Sequence, residues 1–399
     1  MTMAAYAPIP RDTHWGVVGV VVGSGIVTAI QVGKAAIATP MLQTDLGLDL
    51  AAAGWLTGIF AVLGLVGGIL AGTLVAHAGD RRILIFGLVS LALGTIVGAA
   101  APGYSVLLAS RVLEGFGFLL VTVAGPAILS RMVNMGQRDI TLALWSCFMP
   151  AGMALAMLIG PQFGDWRTLW WANAGLAVAA IVAGLAVIPA VPARTSVSWT
   201  STISNAAHVL TSKDSALLAA CFAFYSLMFF ALFSFLPVLL MERMNIPHGI
   251  AGLLSALATG ANIVGNVGAG YLLARGASRS SILIGAYLIM GLAGIGIFLQ
   301  IVGNAPTFLL CLLFSGVGGM IPATLISSAP LLAPSAALAP VVVGLVMQGS
   351  NLGQVIGPIA VGDAIGSYGW AAAAGIVLIS ALMAATIALV ISFDAGRTR

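Results

Sequence analysis

The stretch Gly72-Thr73-Leu74-Val75-Ala76-His77-Ala78-Gly79-Asp80-Arg81-Arg82 closes an apolar run at 52–76 and leads into another at 83–101. Each run is about as long as the ~20 residues that a helix needs to cross a bilayer. The charges between them are crowded into one short turn. A helical hairpin through a membrane, its turn held on one side by arginines, is the expectation.

The same pattern extends in both directions. Apolar runs bounded by charge, Pro or polar clusters lie at approximately 15–38, 52–76, 83–101, 105–130, 140–163, 168–190, 215–240, 250–274, 281–303, 306–329, 338–363 and 369–392. The first run exceeds the 7–15 residues of a signal-peptide core, so it is expected to stay as a membrane helix. Composition agrees, with 60% apolar residues, 7% charged residues and 50 Gly in 399 positions. Soluble domains carry about 25% charged residues. The chain is therefore expected to be an all-α membrane protein of 12 transmembrane helices.

The distribution of basic residues gives the orientation. With a cytoplasmic N-terminus, Arg11, Arg81, Arg82, Arg131, Arg138, Arg194, Lys213, Arg275, Arg279, Arg397 and Arg399 fall on the cytoplasmic side, 11 of 15. Arg167 and Arg243 fall outside, and Lys34 and Arg111 lie within runs. The excess predicts a multi-pass protein of the cell (inner or plasma) membrane with both termini cytoplasmic. Trp15, Trp55, Trp166, Trp170, Trp171 and Trp370 lie at run ends, where headgroup-level aromatic belts form.

The polar segment 191–214 divides the runs six and six. This predicts an N-terminal bundle at 1–190, a cytoplasmic linker at 191–214 that includes a short interfacial helix, and a C-terminal bundle at 215–399. Landmarks recur between the halves at a nearly constant offset. Pro40 matches Pro237 (237−40 = 197), Gly54 matches Gly252 (252−54 = 198), Gly160-Pro161 matches Gly357-Pro358 (357−160 = 197), and Asp165 matches Asp363 (363−165 = 198). Internal repeats of this kind are a common construction of secondary transporters.

Several classes are not expected. No basic run interleaved with aromatics suggests nucleic acid. Cys147, Cys221 and Cys311 lie in apolar runs without metal-type spacing, so neither a metal nor a cofactor is expected. His14, His77, His208 and His248 fall at run ends or loops, and no catalytic constellation sits at membrane depth. No Gly-rich loop ending in Lys-Ser/Thr points to ATP-driven transport.

Three motifs carry a family likeness. The Gly72–Arg82 loop is one, Arg111-Val112-Leu113-Glu114-Gly115-Phe116-Gly117 is another, and Gly160-Pro161-Gln162-Phe163-Gly164-Asp165-Trp166-Arg167 is the third. Together they resemble the major facilitator superfamily, over essentially the whole chain. The resemblance implies two pseudo-symmetric six-helix bundles, a monomer, and no enzymatic activity. It also implies that helices 2 and 11, and helices 5 and 8, face each other across the bundles. Conformational roles would fall to Gly72, Asp80, Arg81, Gly160, Pro161, Gly357 and Pro358. The loop departs from the family pattern, with Ala76 where Asp is usual and His77 where Arg is usual, leaving Asp80 as the local acid.

A cation at mid-bilayer costs about 2.5–3.5 kcal/mol on insertion scales. Lys34 and Arg111 are therefore expected to face the protein interior, and Glu114 shares a helix face with Arg111. Both are candidate substrate ligands, with Gln31, Tyr225, Asn262, Asn266, Gln348 and Asn351 supplying neutral polar groups. Glu114, with Arg111, is the candidate for proton coupling. Two cations beside one acid suggest a small anion or organic acid moved with protons. A proton-antiporting multidrug or metabolite exporter stands as the alternative, and a non-transporting membrane sensor as the remote one.

Overall fold

The computed structural model describes residues 13–134, 137–190, 209, 211–334 and 338–391. They are almost wholly helical, and no strand occurs among the described residues. Twelve membrane helices follow in order. α1 is Trp15–Leu46, and α2 is Leu50–Gly58 continued through a 3-10 turn, Ile59–Ala61, into Val62–Ala78. α3 is Asp80–Ala99 and α4 is Tyr104–Met132. α5 is Arg138–Ser146 followed by Phe148–Ile159 and the 3-10 turn Gly160–Gln162, and α6 is Trp166–Val187. α7 is Lys213–Phe233 followed by Leu236–Met244, α8 is His248–Ala274, and α9 is Arg279–Phe298. α10 is Asn304–Gly318 followed by Met320–Leu332, α11 is Ala339–Tyr368, and α12 is Trp370–Val390.

Among the described residues, 11 helical runs are long and apolar enough to cross a membrane. The twelfth, α11, has 30 residues, but Gln348, Ser350, Asn351 and Gln354 dilute its apolar character. α1 is longer than the sequence predicts, running through Pro40 to Leu46. Its 32 residues exceed the ~20 needed to span the hydrocarbon, so its last turns stand clear of the core and tolerate Gln43, Thr44 and Asp45. Gly47 ends the helix with φ 64°, a backbone conformation that costs Gly little. The expected interfacial helix within 191–214 lies largely outside the described residues.

In the first half α1 packs on α5 and α6, and α3 packs on α4 and α6. The second half repeats this, with α7 on α11 and α12, and α9 on α10 and α12. The end where α1 begins and α12 finishes is the near end, and the opposite end is the far end. Across the two bundles α2 lies along α11 and α5 along α8, the facing pairs that the family resemblance implies.

One contact across this seam is made twice. A Cβ on Gly54 would collide with the carbonyl oxygen of Pro358, and a Cβ on Gly252 would stand 2.6 Å from the Pro161 ring. Gly54 and Gly252 are repeat partners, as are Pro161 and Pro358, so pseudo-symmetry maps one contact onto the other. His248 adds a hydrogen bond with the Ile37 carbonyl oxygen at 2.8 Å, and Gly362 meets the Leu50 carbonyl oxygen. These contacts gather the bundles at the far end.

The halves are also tied alike internally. Trp166 donates its indole N–H to Asp45 at 2.8 Å, and Trp370 donates to Glu242 at 2.9 Å. The two acids are separated by the repeat offset (242−45 = 197). Arg167 reaches Asp45 at 2.7 Å, whereas Arg243 instead donates to the Ile297 and Val302 carbonyl oxygens at 2.5 and 2.6 Å. Asp165, in the α5–α6 loop, caps α6 through the Thr168 amide at 2.8 Å. Hydrogen bonds from the Thr168 hydroxyl and then its amide hold the Asp165 carboxyl below the usual carboxylate range.

Overpacking a close seam costs about 1–3 kcal/mol. Gly54→Leu and Gly252→Leu should therefore each disfavour the far-closed arrangement. The check is the alkylation rate of a cysteine introduced at Ile37, which should rise in both variants and stay unchanged in Gly260→Leu, where an added Cβ meets nothing.

Candidate functional site

The sequence-predicted residues fall into three groups. Gln31, Lys34, Arg111 and Glu114 meet inside the first bundle. Tyr225, Asn262 and Asn266 meet inside the second. Gln348 and Asn351 lie at the seam, where an added Cβ on Gly68 or Gly64 of α2 would stand 3.0 Å from Gln348 Cγ or 2.6 Å from Asn351 Nδ2.

The first group is built on α1 and α4. Lys34, Arg111 and Glu114 are each 0% exposed. Lys34 Nζ donates to Glu114 Oε1 at 2.8 Å, and Arg111 Nη1 donates to Glu114 Oε2. Sequence spacing gives the Arg111–Glu114 pair, one helical turn apart; the Lys34 partnership comes from the packing of α1 against α4. Arg111 also donates through Nη1 to the Gln31 carbonyl oxygen at 2.9 Å and through Nε to the Leu56 carbonyl oxygen at 3.0 Å. The 3-10 turn in α2 brings Phe60 beneath the guanidinium, 4.5 Å from ring centre to Cζ. Thr95 of α3 donates to Gln31 Oε1 at 3.3 Å. One residue cluster thus joins α1, α2, α3 and α4.

α6 completes the enclosure through Trp170, whose ring centre lies 4.5 Å from Lys34 Nζ. Here the structure corrects a sequence expectation. Trp166 and Trp170 are 1% and 0% exposed, so they are interior residues and do not belong to a headgroup belt. Trp15, Trp55 and Trp171, at 49%, 47% and 51% exposed, are outward-facing. An apolar ring beneath a buried ammonium stabilises it by cation–π attraction, which explains the position of Trp170. Four buried polar atoms in this bundle have no hydrogen-bond partner among the described residues: Arg81 Nε, Arg111 Nη2, Trp170 Nε1 and Asn173 Oδ1.

In the second group Asn262 donates to the Tyr225 hydroxyl at 3.1 Å and to the Ser315 carbonyl oxygen at 3.1 Å. Asn266 donates to Asn262 Oδ1 at 2.9 Å. Tyr225 stands between Phe222 and Phe229, each 5.8 Å away by ring centres. α7, α8 and α10 are thereby joined through neutral groups. Ser226 and Ser350 share a hydrogen bond of 2.8 Å between α7 and α11, and Gln354 donates to Ser350 at 3.3 Å.

The residues with expected conformational roles are divided between bundle and seam. Asp80 accepts from Arg131 at 2.9 and 3.0 Å, linking the start of α3 to the end of α4. Arg81 donates to the Leu185 carbonyl oxygen of α6 at 2.7 Å. Gly72 lies in the last part of α2. Gly160 packs on Ile37 of α1 and Gly357 on the backbone of Leu227 of α7, both within their own bundles, while Pro161 and Pro358 face the other bundle. Among the described residues no group of three His, Cys, Asp or Glu could hold a metal ion.

Comparison with known proteins agrees with this architecture. The family model of the Major Facilitator Superfamily matches residues 21–358. The chain belongs to the Major Facilitator Superfamily, whose members are membrane carriers and not enzymes. A bacterial homologue of the human lysosomal transporter Spinster, solved in an inward-facing and occupied conformation, superposes with TM-score 0.72 at 15% identity over 94% of each chain. The D-xylose-proton symporter superposes with TM-score 0.72 at 14% identity, covering 93% of this chain and 97% of that one.

Among curated relatives, the puromycin resistance protein pur8 of Streptomyces alboniger is 29% identical over 47% of this chain and 37% of its own length. The probable actinorhodin transporter of Streptomyces coelicolor is 28% identical over 46% of this chain and 33% of its own. The matched stretches thus span about a third of those proteins. The 3-(3-hydroxy-phenyl)propionate transporter of Escherichia coli is 26% identical over 59% of each chain. The chain is therefore a multi-pass membrane protein of that superfamily.

Removing the shared carboxylate would strand two buried cations. Breaking a buried ion pair from one side costs about 3–5 kcal/mol, so Glu114→Gln should lower the thermal midpoint strongly in detergent-solubilised protein. Arg167→Ala, which breaks a pair with side chains 40% and 48% exposed, should cost at most about 1 kcal/mol. Differential scanning fluorimetry of the two variants checks the contrast.

Proposed function

We propose that this chain moves a small organic solute bearing an anionic group by alternating access and that the movement is coupled to protons. The observation that supports this reading is the buried Lys34–Glu114–Arg111 cluster. It holds two cations and one anion, all 0% exposed, and Arg111 Nη2 has no partner among the described residues. Buried cationic groups are expensive unless paired and hydrogen-bonded. An anionic cargo group reaching the cluster when the bundles rearrange would balance its charge and engage Arg111.

The second bundle would supply shape and neutral contacts through Tyr225, Asn262 and Asn266, with Gln348 and Asn351 at the seam and Gln31 beside the cations. The aromatic face of α7 and the similarity to the 3-(3-hydroxy-phenyl)propionate transporter favour an aromatic carboxylate. Coupling to protons draws on the same cluster. The near end, which gathers Arg81, Arg82, Arg131, Lys213, Arg275 and Arg279 at or beside helix ends, would be cytoplasmic, so the far-end contacts would seal the outer face. The carrier would work as a monomer whose halves are 1–190 and 215–399, joined by the linker 191–214.

A second reading is a proton-antiporting exporter. The resistance function named for pur8 of Streptomyces alboniger favours it, as does the position of Pro161 on the seam.

Purified protein in liposomes that trap a fluorescent pH indicator separates the two. An inward gradient of 3-(3-hydroxyphenyl)propionate should acidify the lumen beyond the protein-free control. Alkalinisation driven by inward puromycin or chloramphenicol would favour the exporter. No proton movement with any of them would overturn proton coupling.

A further inference from the structure

The buried cluster contains one group that can change charge without losing its place. Its three members carry +1, +1 and −1, a net positive charge with every side chain 0% exposed. Arginine stays protonated under any ordinary condition, so Arg111 holds a fixed charge. Each Glu114 oxygen accepts a hydrogen bond from a cationic donor, so a proton on the carboxylate would leave two buried cations with no anion between them. Lys34 differs from both. If its ammonium loses one proton, Arg111 and Glu114 remain as a neutral pair, and the amine still has two N–H groups, one of which can keep the 2.8 Å contact with Glu114 Oε1.

We propose that Lys34, and not Glu114, takes up and releases the coupled proton. The inference rests on the proton-coupled reading above and names its carrier. In the release step one N–H bond of the ammonium breaks, the electron pair stays on Nζ, and the proton passes to water in the vestibule that has opened. Uptake on the other side reverses it. Arg111 and Glu114 are positioning residues for this step: they hold Nζ in register in both charge states.

The position of Lys34 links its charge to the movement of the bundles. Gly33 packs closely on Met153 and Ala156 of α5, and Ile37, one turn beyond Lys34, contacts both Gly160 of α5 and His248 of α8. The stretch of α1 that carries the proton is thus the stretch that touches the seam.

The groups facing Lys34 are few. α4 contributes Arg111 and Glu114, and α6 contributes the Trp170 ring. α3 contributes Thr95 through Gln31, α2 contributes Phe60 and the Leu56 carbonyl through Arg111, and α5 contributes Met153 and Ala156 through Gly33. From α8 comes His248 on Ile37, while Asp45 and Arg167 pair at the far end of α1.

Lys34 and Lys213 are the two lysines of the sequence, which permits a direct observation. In protein labelled with ¹³C and ¹⁵N at the lysine side chain, with Lys213→Arg used for assignment, Lys34 should show both an ammonium and a neutral-amine signal across the pH range of transport. An ammonium signal throughout, while transport remains proton-coupled, would overturn the proposal. This readout needs no substitution in the cluster.

The second arm uses liposomes and the probe 3-(3-hydroxyphenyl)propionate. A gradient of one pH unit stores about 1.4 kcal/mol per proton, a factor of about ten in solute concentration. Wild type should therefore build about a tenfold gradient for each coupled proton, whereas whatever solute flux Lys34→Arg retains should be independent of the pH gradient and build no accumulation. Proton-driven accumulation by Lys34→Arg equal to wild type would refute the role of Lys34. A wild type that transports the probe without moving protons would refute the coupled reading itself, and the proposal with it.

Discussion

The carboxylate of Glu114, shared between two cations that are both 0% exposed in this structure, is the interaction on which the first bundle depends. It lies where a helix must satisfy all polar groups internally. Lys34 comes from α1 and Arg111 from α4, and the guanidinium extends the network to backbone carbonyls on α1 and α2. No pair of these helices can slide past another without stranding a charge. Such clusters give less net stability than an apolar core of the same shape, because desolvation offsets most of the attraction. What they impose is register.

Around this centre the two halves share a scaffold and differ in chemistry. Both use a tryptophan donating to an acid at the end of the opposing helix, Trp166 to Asp45 and Trp370 to Glu242. Both place a glycine of the second repeat helix against a proline of the other half, Gly54 on Pro358 and Gly252 on Pro161. A rocking mechanism needs these seam contacts to be smooth, because side chains at close-packed helix crossings would have to repack on every cycle. The interiors have diverged. The first is held by charge and the second by the Tyr225–Asn262–Asn266 chain of neutral hydrogen bonds.

Much of this was legible in the sequence because scarcity makes charge informative. Lys34, Arg111 and Glu114 stand out within apolar runs, and the 197-residue offset exposes the Gly and Pro landmarks of the repeat. The second partner of the carboxylate was not legible, because nothing in one dimension places position 34 beside position 114. Trp170 was misplaced for a related reason: a ring near a helix end can face lipid or interior, and only the packing of α6 on α1 decides. The repeat of Asp45 by Glu242 escaped notice because residue type changes while the hydrogen bond is kept. Pro40 was expected to close α1, yet the helix continues, since Pro interrupts the hydrogen bond that its own N–H would have made and the turns beyond it remain intact.

The most direct test of the shared carboxylate is a double-mutant cycle on Lys34 and Glu114, read as thermal stability in detergent. Lys34→Met combined with Glu114→Gln is predicted to be more stable than Glu114→Gln alone, because the second substitution removes a cation that the first has left buried without its partner. Additive losses, with the double variant less stable than either single one, would contradict the account.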